Sequence, residues 1–454
     1  MREISIQVYP FEMVSILEYK GLQTINEHGY VKMTGLIRSD RKDFYEKTAE
    51  TCTWVKITGF DERGTGTVLF YGILTDFSLR MEGDSCIMEL SVFSGSRLMD
   101  YREHTRSFQR SGYTFKEIAE CCNAEYEQVG MIMTEGREMS VPGFLMQYKE
   151  TDWAFLRRLA SIAHTVLVPS CNHQGVKYFF GIPRKQAECG LESDTYTVCR
   201  KQDGSGKRGE ILYRVESRDW HALGDWISFQ GELFFISRIE TIYRGNELLH
   251  TYTLKPKQGL AVSRIYLQGL TGISLMGKVT GVADERVQIR LDIDENGQSG
   301  SRWFPFASIY SSADGTGWYC MPEEGDHIRL NFPTDDEADA YGVNACQENQ
   351  GNGYRTNPDH KIWRNKEGKE IRLTPNRVLL TNNKGMSVEL DDGSGIRIKS
   401  NGFVMIDAAK TISIHSAEAG LELAASSKIT LEQGETKMEM SDGISLSGAE
   451  VKMQ

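Results

Sequence analysis

The chain has 454 residues, of which 25% are charged and 40% hydrophobic, and its formal net charge is −11. This is a globular composition, long enough for two to four domains, and its acidic balance argues against nucleic acid or an anionic membrane surface as the main partner. No window approaches about 18 uninterrupted apolar residues, which excludes a membrane-spanning helix, and nine cysteines without a CxxC pair fit reduced thiols rather than a disulfide framework.

Met1 to Ile6 reads as a strand rather than the apolar core of a signal peptide, so synthesis and folding in the cytoplasm are expected. Residues 1–110 alternate apolar and polar positions in short runs, such as Trp54-Val55-Lys56-Ile57, with Gly-rich breaks between them. That pattern predicts a β-barrel. A mixed segment, 111–200, carries two helix starts. Thr114 and Glu117 form a capping box; Thr151 or Asp152 caps a second helix whose apolar stripe is Trp153, Leu156, Leu159, Ala160 and Ala163. Strands return at 201–262, among them Trp226-Ile227-Ser228-Phe229 and Leu233-Phe234-Phe235-Ile236, predicting a second barrel. After a short linker, five short strands over 275–346 suit an OB-type barrel. Residues 347–370 read as a second linker, too short for an enzyme domain.

From 371 to 454 the sequence repeats. Apolar doublets with one residue between their members recur at Ile371 and Leu373, Val378 and Leu380, Val388 and Leu390, Ile396 and Ile398, Val404 and Ile406, Ile412 and Ile414, Leu421 and Leu423, Ile429 and Leu431, Met438 and Met440, Ile444 and Leu446, and Val451 and Met453. The first members run from 371 to 451, 80 residues in ten steps, a mean period of 8. A spacing of two puts both side chains on one face of a strand, and Gly, Asn, Ser and Asp supply the turns between. Two buried side chains per octad cannot offset the ordering entropy of one chain. Three copies wound round one axis, with the doublets meeting at the centre as the trimer core, remove that deficit. The expected element is an intertwined trimeric β-prism, roughly 50 Å long at one strand spacing of about 4.8 Å per octad.

The string Tyr148-Lys149-Glu150-Thr151-Asp152-Trp153-Ala154-Phe155-Leu156-Arg157-Arg158-Leu159-Ala160 resembles the hub segment of the VgrG and phage tail-spike proteins of contractile injection systems. The family motif is Tyr-x-Glu-[Ser/Thr]-Asp with Phe-Leu-x-Arg-Leu after it. Tyr252-Thr253-Leu254, Trp303-Phe304-Pro305 and Met321-Pro322-Glu323-Glu324-Gly325-Asp326 are similar to later elements in the family's order. The resemblance implies a mainly β protein: two hub β-barrels with helical insertions, an OB-fold barrel, and the trimeric prism at the C-terminal end. It also implies a structural, non-catalytic spike mounted on baseplate and inner-tube proteins, with effector cargo as a further partner the family allows; the residues themselves give no cofactor or metal site to expect. Such a spike is assembled in the bacterial cytoplasm and delivered into or through a target envelope. Related spikes carry a small metal-stabilised PAAR-type tip, which implies a tip-binding end at Ile444, Leu446, Val451 and Met453.

Gly204-Ser205-Gly206-Lys207-Arg208-Gly209 satisfies GxGxxG, but a polar loop precedes it and a strand-like run follows, the reverse of a dinucleotide site. Asp292 to Gly297 copies the first half of an EF-hand loop, yet position twelve is Trp303, so a solvated hairpin tip is expected. Cys171, His173, Cys189 and Cys199 match no standard zinc spacing. Asp335, Asp336, Glu337 and Asp339 read as a solvated acidic turn, and His415, beside the inward Ile414, as a solvated outward residue. The rival function is a carbohydrate-active tailspike β-helix using outward acids such as Glu389, Asp391, Asp392 and Asp407. The octads offer it only Phe403 as an aromatic platform.

Overall fold

Alternating burial builds most of the chain up to Glu348. In the strand Tyr30–Ile37 every second residue is buried, and Val31, Met33 and Ile37 enter one core; along Glu247–Lys255 the alternate residues Leu248, His250, Tyr252 and Leu254 are likewise buried, Leu248 in that core and Tyr252 and Leu254 in a second one. The computed structural model describes residues 5–184, 189–191, 193–202, 209–244, 246–297, 299–346, 355–447 and 450. It divides into two units, Met1–Glu348 and Asn349–Gln454.

The first unit is dominated by one twelve-stranded sheet. Its N-terminal half runs Ser5–Tyr9, Trp54–Phe60, Gly66–Glu82, Ser85–Ser94, Tyr30–Ile37, Ser15–Thr24 in spatial order. The last of these pairs with Glu232–Arg244, and Glu247–Lys255, Gly209–Ser217 and Tyr196–Gln202 follow. The two expected barrels are therefore not separate: Lys20 to Thr24 lies antiparallel to Arg238 to Ile242. An edge strand left bare exposes a row of backbone donors and acceptors, and this pairing removes two such edges at once.

Among the described residues three α-helices interrupt the strands. Helix α1, Lys42–Thr51, lies inside the segment read as strand throughout. Only Tyr45 of it is buried, so no apolar stripe announces it. Helix α2, Phe115–Asn123, begins with the capping box: Thr114 Oγ1 accepts from Glu117 N at 3.2 Å, and Glu117 Oε2 accepts from Thr114 N at 2.8 Å. Helix α3, Asp152–Ile162, takes Thr151 as its cap, with Ala154 N donating to Thr151 Oγ1 at 3.3 Å. No helix among the described residues is long and apolar enough to cross a membrane.

Residues 274–346 form a five-stranded antiparallel sheet in the order Trp303–Pro305, Arg286–Leu291, Ser274–Ala283, His327–Asn331, Tyr341–Cys346. Among the described residues its outer strands meet only through a single bridge, Phe306 to Gly342, so the ladder is not a closed barrel. Nor is its core its own. Phe144 and Met146, from the segment before α3, pack among Phe304, Ile328 and Phe332, with Phe144 edge-on to Phe304 at 5.2 Å.

In the second unit the strands Lys361–Arg364, Glu370–Thr374, Arg377–Thr381, Ser387–Asp391 and Gly395–Lys399 form an antiparallel meander. The first of them lies in the stretch read as linker, where Ile362 pairs with Arg372. Ile429–Gln433, Thr436–Met440 and Ile444–Ser447 make a second, three-stranded meander.

One buried histidine, His250, is expected to make the first unit acid-sensitive. His250 hydrogen-bonds Thr241 Oγ1 at 2.9 Å and lies against Tyr252, whose ring also touches His221. Burial, reinforced by His221, pulls the His250 pKa down to about 4. The unfolded chain takes up this proton near pH 6.5 and the folded chain only near 4, so stability falls as pH drops through that window. The expected loss is on the order of 3 kcal/mol by pH 4. Thermal melts at pH 7 and 4.5 check it: His250→Gln should flatten the slope, and an unchanged slope would assign the acid sensitivity elsewhere.

Candidate functional site

The motif string folds into an ionic node. Asp152, first residue of α3 and fully buried, accepts from Arg106 Nη1 at 2.6 Å, Tyr126 Oη at 2.8 Å and Gln147 Nε2 at 3.0 Å. Thr151 Oγ1 donates to Asp100 Oδ1 at 2.6 Å while it caps the helix. Trp153 Nε1 donates to Asn26 O at 3.1 Å and its ring lies 4.9 Å from that of His28. Each polar group of Thr151, Asp152 and Trp153 thus ties α3 to a different part of the first unit.

Just before the helix, Glu150 meets Arg158, two turns into α3, at 3.0 to 3.3 Å. Arg158 also donates to Met146 O at 2.6 Å and to the buried carboxylate of Glu337. Burial raises the Glu150 pKa although Arg158 opposes the rise. Glu337 is therefore not part of a solvated acidic turn. Asp335 and Asp336 do serve that turn: Asp335 accepts from Thr271, and Asp336 caps the 3₁₀ turn Glu337–Asp339 and pairs with Arg264 at 3.0 Å.

The half EF-hand loop is likewise not a free hairpin tip. It docks on the open side of the strand Glu103–Phe108: Thr105 N donates to Glu295 Oε1 at 3.0 Å, Ser107 N to Asp294 Oδ1 at 2.9 Å, and Glu295 N to Thr105 O at 2.9 Å. Alternate backbone donors of an edge strand are capped by two carboxylates in place of a partner strand. Nothing local in the sequence signals these contacts, because the partners lie 190 and 187 positions apart.

The other sequence candidates are not brought together. Cys171 is buried, His173 hydrogen-bonds Ser170 at 2.8 Å, Cys199 lies in the strand Tyr196–Gln202, and the Cys189 side chain lies outside the described residues. Of the GxGxxG run only Gly209 is described, opening a strand. His415 is exposed. Among the outward acids, Glu389 pairs with Arg377 at 2.9 Å, and Asp391 closes a turn by accepting from Ser394 N and Gly393 N. Those backbone bonds hold the Asp391 carboxyl below its usual range, the wrong direction for a general acid. Asp392 N bonds Asn376 O within the meander, and Asp407 lies in a stretch without ladder pairing.

The octads form a surface of a different kind. Across the first meander the doublets stand directly opposite one another in two rows, one of Leu373, Val378, Leu390 and Ile396, the other of Ile371, Leu380, Val388 and Ile398. The second meander repeats this with Leu431, Met438 and Leu446 beside Ile429, Met440 and Ile444. The first face is concave, enclosing about 540 Å³ lined by Trp363, Ile371, Leu380, Val388 and Ile398. Its apolar side chains remain in water: Ile396 is 75% exposed and Ile398 60%. Consecutive octads here turn back on one another, whereas the sequence reading winds each strand round an axis. Two-residue turns such as Pro375-Asn376 allow the reversal.

The middle octads differ most from the expected prism. The stretch 400–428 forms no strand and no ladder within the chain. Its doublet residues, expected in a buried core, are instead exposed in the single chain: Val404 and Ile406, with Ile406 at 67%, then Ile412 and Ile414, then Leu421 and Leu423, with Leu423 at 63%. The physical reason is the one the spacing gives, since two apolar side chains per octad find too little to pack against among the described residues of their own chain. Leu373, Val378, Leu380, Leu390 and Leu431 are exposed for the same reason. At the far end Ile444 is 70% exposed; the Leu446 side chain, Val451 and Met453 lie outside the described residues.

No protein-family model matches this sequence, and no curated protein matches it. Solved structures do. The Escherichia coli c3393 protein, a type VI secretion component described as structurally similar to the bacteriophage T4 tail proteins gp27 and gp5, superposes with a TM-score of 0.54 at 15% identity, over 74% of this chain and 99% of that one. The fold is that of VgrG-type proteins. The Francisella PdpA–VgrG complex agrees in two states: lidded, with a TM-score of 0.59 at 10% identity over 88% of this chain and 80% of that one, and half-lidded, with 0.57 at 10% over 88% of each. At such identities the VgrG-like fold is carried by patterning and packing rather than by shared residues.

Proposed function

We propose that this protein is a structural, non-catalytic protomer of a trimeric spike in a contractile injection system, linking baseplate and inner tube to an envelope-piercing tip. The observation that carries this reading is the double row of exposed apolar side chains along the octads, continued by 400–428, which has no partner strands of its own. A surface of that size is not left wet by a stable monomer, and threefold association buries it while supplying the missing ladder partners. The VgrG-like fold supports the placement. In this reading the protein is assembled in the bacterial cytoplasm and ends in or beyond the target envelope.

The test is mass in solution. Three chains of 51.3 kDa make about 154 kDa, and light scattering should find that species at micromolar concentration. A stable, well-folded monomer would remove the basis for the proposal. A PAAR-type tip protein is proposed to cap the last octads, where Ile444 stands exposed. Deleting 443–454 should abolish capture of a co-expressed tip protein while the trimer persists; undiminished capture would place the tip elsewhere.

A further inference from the structure

We infer that the first unit binds a small apolar acid, a molecule with a hydrocarbon or aromatic body and one carboxylate, in a cavity walled by Trp226, Leu233, Phe235 and Ile182. The cavity holds about 540 Å³, within the roughly 300–1,000 Å³ of pockets that take small molecules. The spike reading makes no use of it.

Strand register builds the apolar wall. Trp226, which opens the strand Trp226–Phe229, stands across the ladder from Phe235 in Glu232–Arg244, and their rings meet edge-on at 5.5 Å. Leu233 lies two residues before Phe235 and so shares its face. Phe235 and Ile182 are buried, but Trp226 is 37% exposed and Leu233 53%. The wall is therefore half covered, and an apolar body seated on it is driven there by the area it removes from water.

The polar groups of the cavity select the charge. Arg184 donates from Nη2 to Thr134 O at 3.1 Å and meets no carboxylate among the described residues. Lys257 Nζ stands 3.9 Å from Glu135 Oε1, beyond hydrogen-bond reach, while the other oxygen of Glu135 accepts from Thr165 Oγ1. Two cations against one carboxylate leave a single positive charge in excess. A monoanion balances it, and the fork of N–H groups on Arg184 suits a carboxylate. A cationic ligand would face both Arg184 and Lys257, and a dianion would leave a negative charge beside Glu135. Among the described residues seven line the cavity, against roughly 20–30 a side in a stable protein interface. The occupant is thus a small molecule rather than a second chain.

The test is calorimetric titration of the full-length protein with decanoate, kept below its micelle-forming concentration, with decyltrimethylammonium as a control of the same tail and opposite charge. Decanoate should bind at about one equivalent per chain and the ammonium should not. Arg184→Gln should weaken decanoate about 10-fold or more, the loss expected for a hydrogen bond to a charged group. Leu233→Asp, at an exposed position, should abolish binding while circular dichroism stays native. No decanoate bound by the wild-type protein would overturn the inference, as would undiminished binding by a folded Leu233→Asp. Equal binding of the two amphiphiles, or unchanged affinity in Arg184→Gln, would overturn it as well, by showing an apolar surface that does not select a carboxylate.

Discussion

Ile398→Asp is expected to convert the trimer to single chains while leaving each chain folded. In one chain Ile398 is 60% exposed and stands across the ladder from Val388, so a carboxylate there stays hydrated and costs little. In the proposed trimer the same row turns inward, and three carboxylates meet near one axis. Lost solvation and like-charge repulsion should then cost on the order of several kcal/mol. Lys399→Asp, one position along, points to the other face of the strand and should change stability by about 0.5 kcal/mol or less. Mass photometry of the two variants separates them. If both dissociate equally, the apolar rows are not the contact surface.

Arg158→Leu should be the most damaging single substitution in the first unit. It leaves the buried carboxylate of Glu337 and the partly buried one of Glu150 without their shared cation and frees the carbonyl of Met146. Breaking a buried pair from one side typically costs about 3–5 kcal/mol. The damage should deepen as pH rises. Glu150 already has a raised pKa from burial, and a folded state that holds a proton more tightly than the unfolded one loses stability with increasing pH. Urea midpoints at pH 5 and 8 measure both effects. Adding Glu150→Leu and Glu337→Leu should recover much of the loss, because a matched apolar replacement leaves no buried charge behind. A loss under about 1 kcal/mol for Arg158→Leu would mean that water reaches the node.

Local signals were legible where the partners are neighbours in sequence. The helix caps at Thr114 and Thr151 are short-range hydrogen bonds, and the period of eight survives in the ladder because a spacing of two has one structural meaning in a strand. Helix α1 leaves no such signal, because a largely exposed helix needs no apolar stripe.

By itself the sequence determined the mainly β character, the motif that seats α3, and an apolar strip too thin for one chain to bury. Only the tertiary structure decided that the two expected barrels share one sheet through Lys20 to Thr24. The same holds for Phe144 filling the core of the five-stranded domain, for the pairing of Glu337 with Arg158, and for Glu295 reaching His104. The physical reason is common to all four. Edge backbones, buried charges and cavities take whichever partner the fold brings into contact, and separations from 160 positions (Phe144 to Phe304) to 222 (Lys20 to Ile242) leave no periodic trace of that choice.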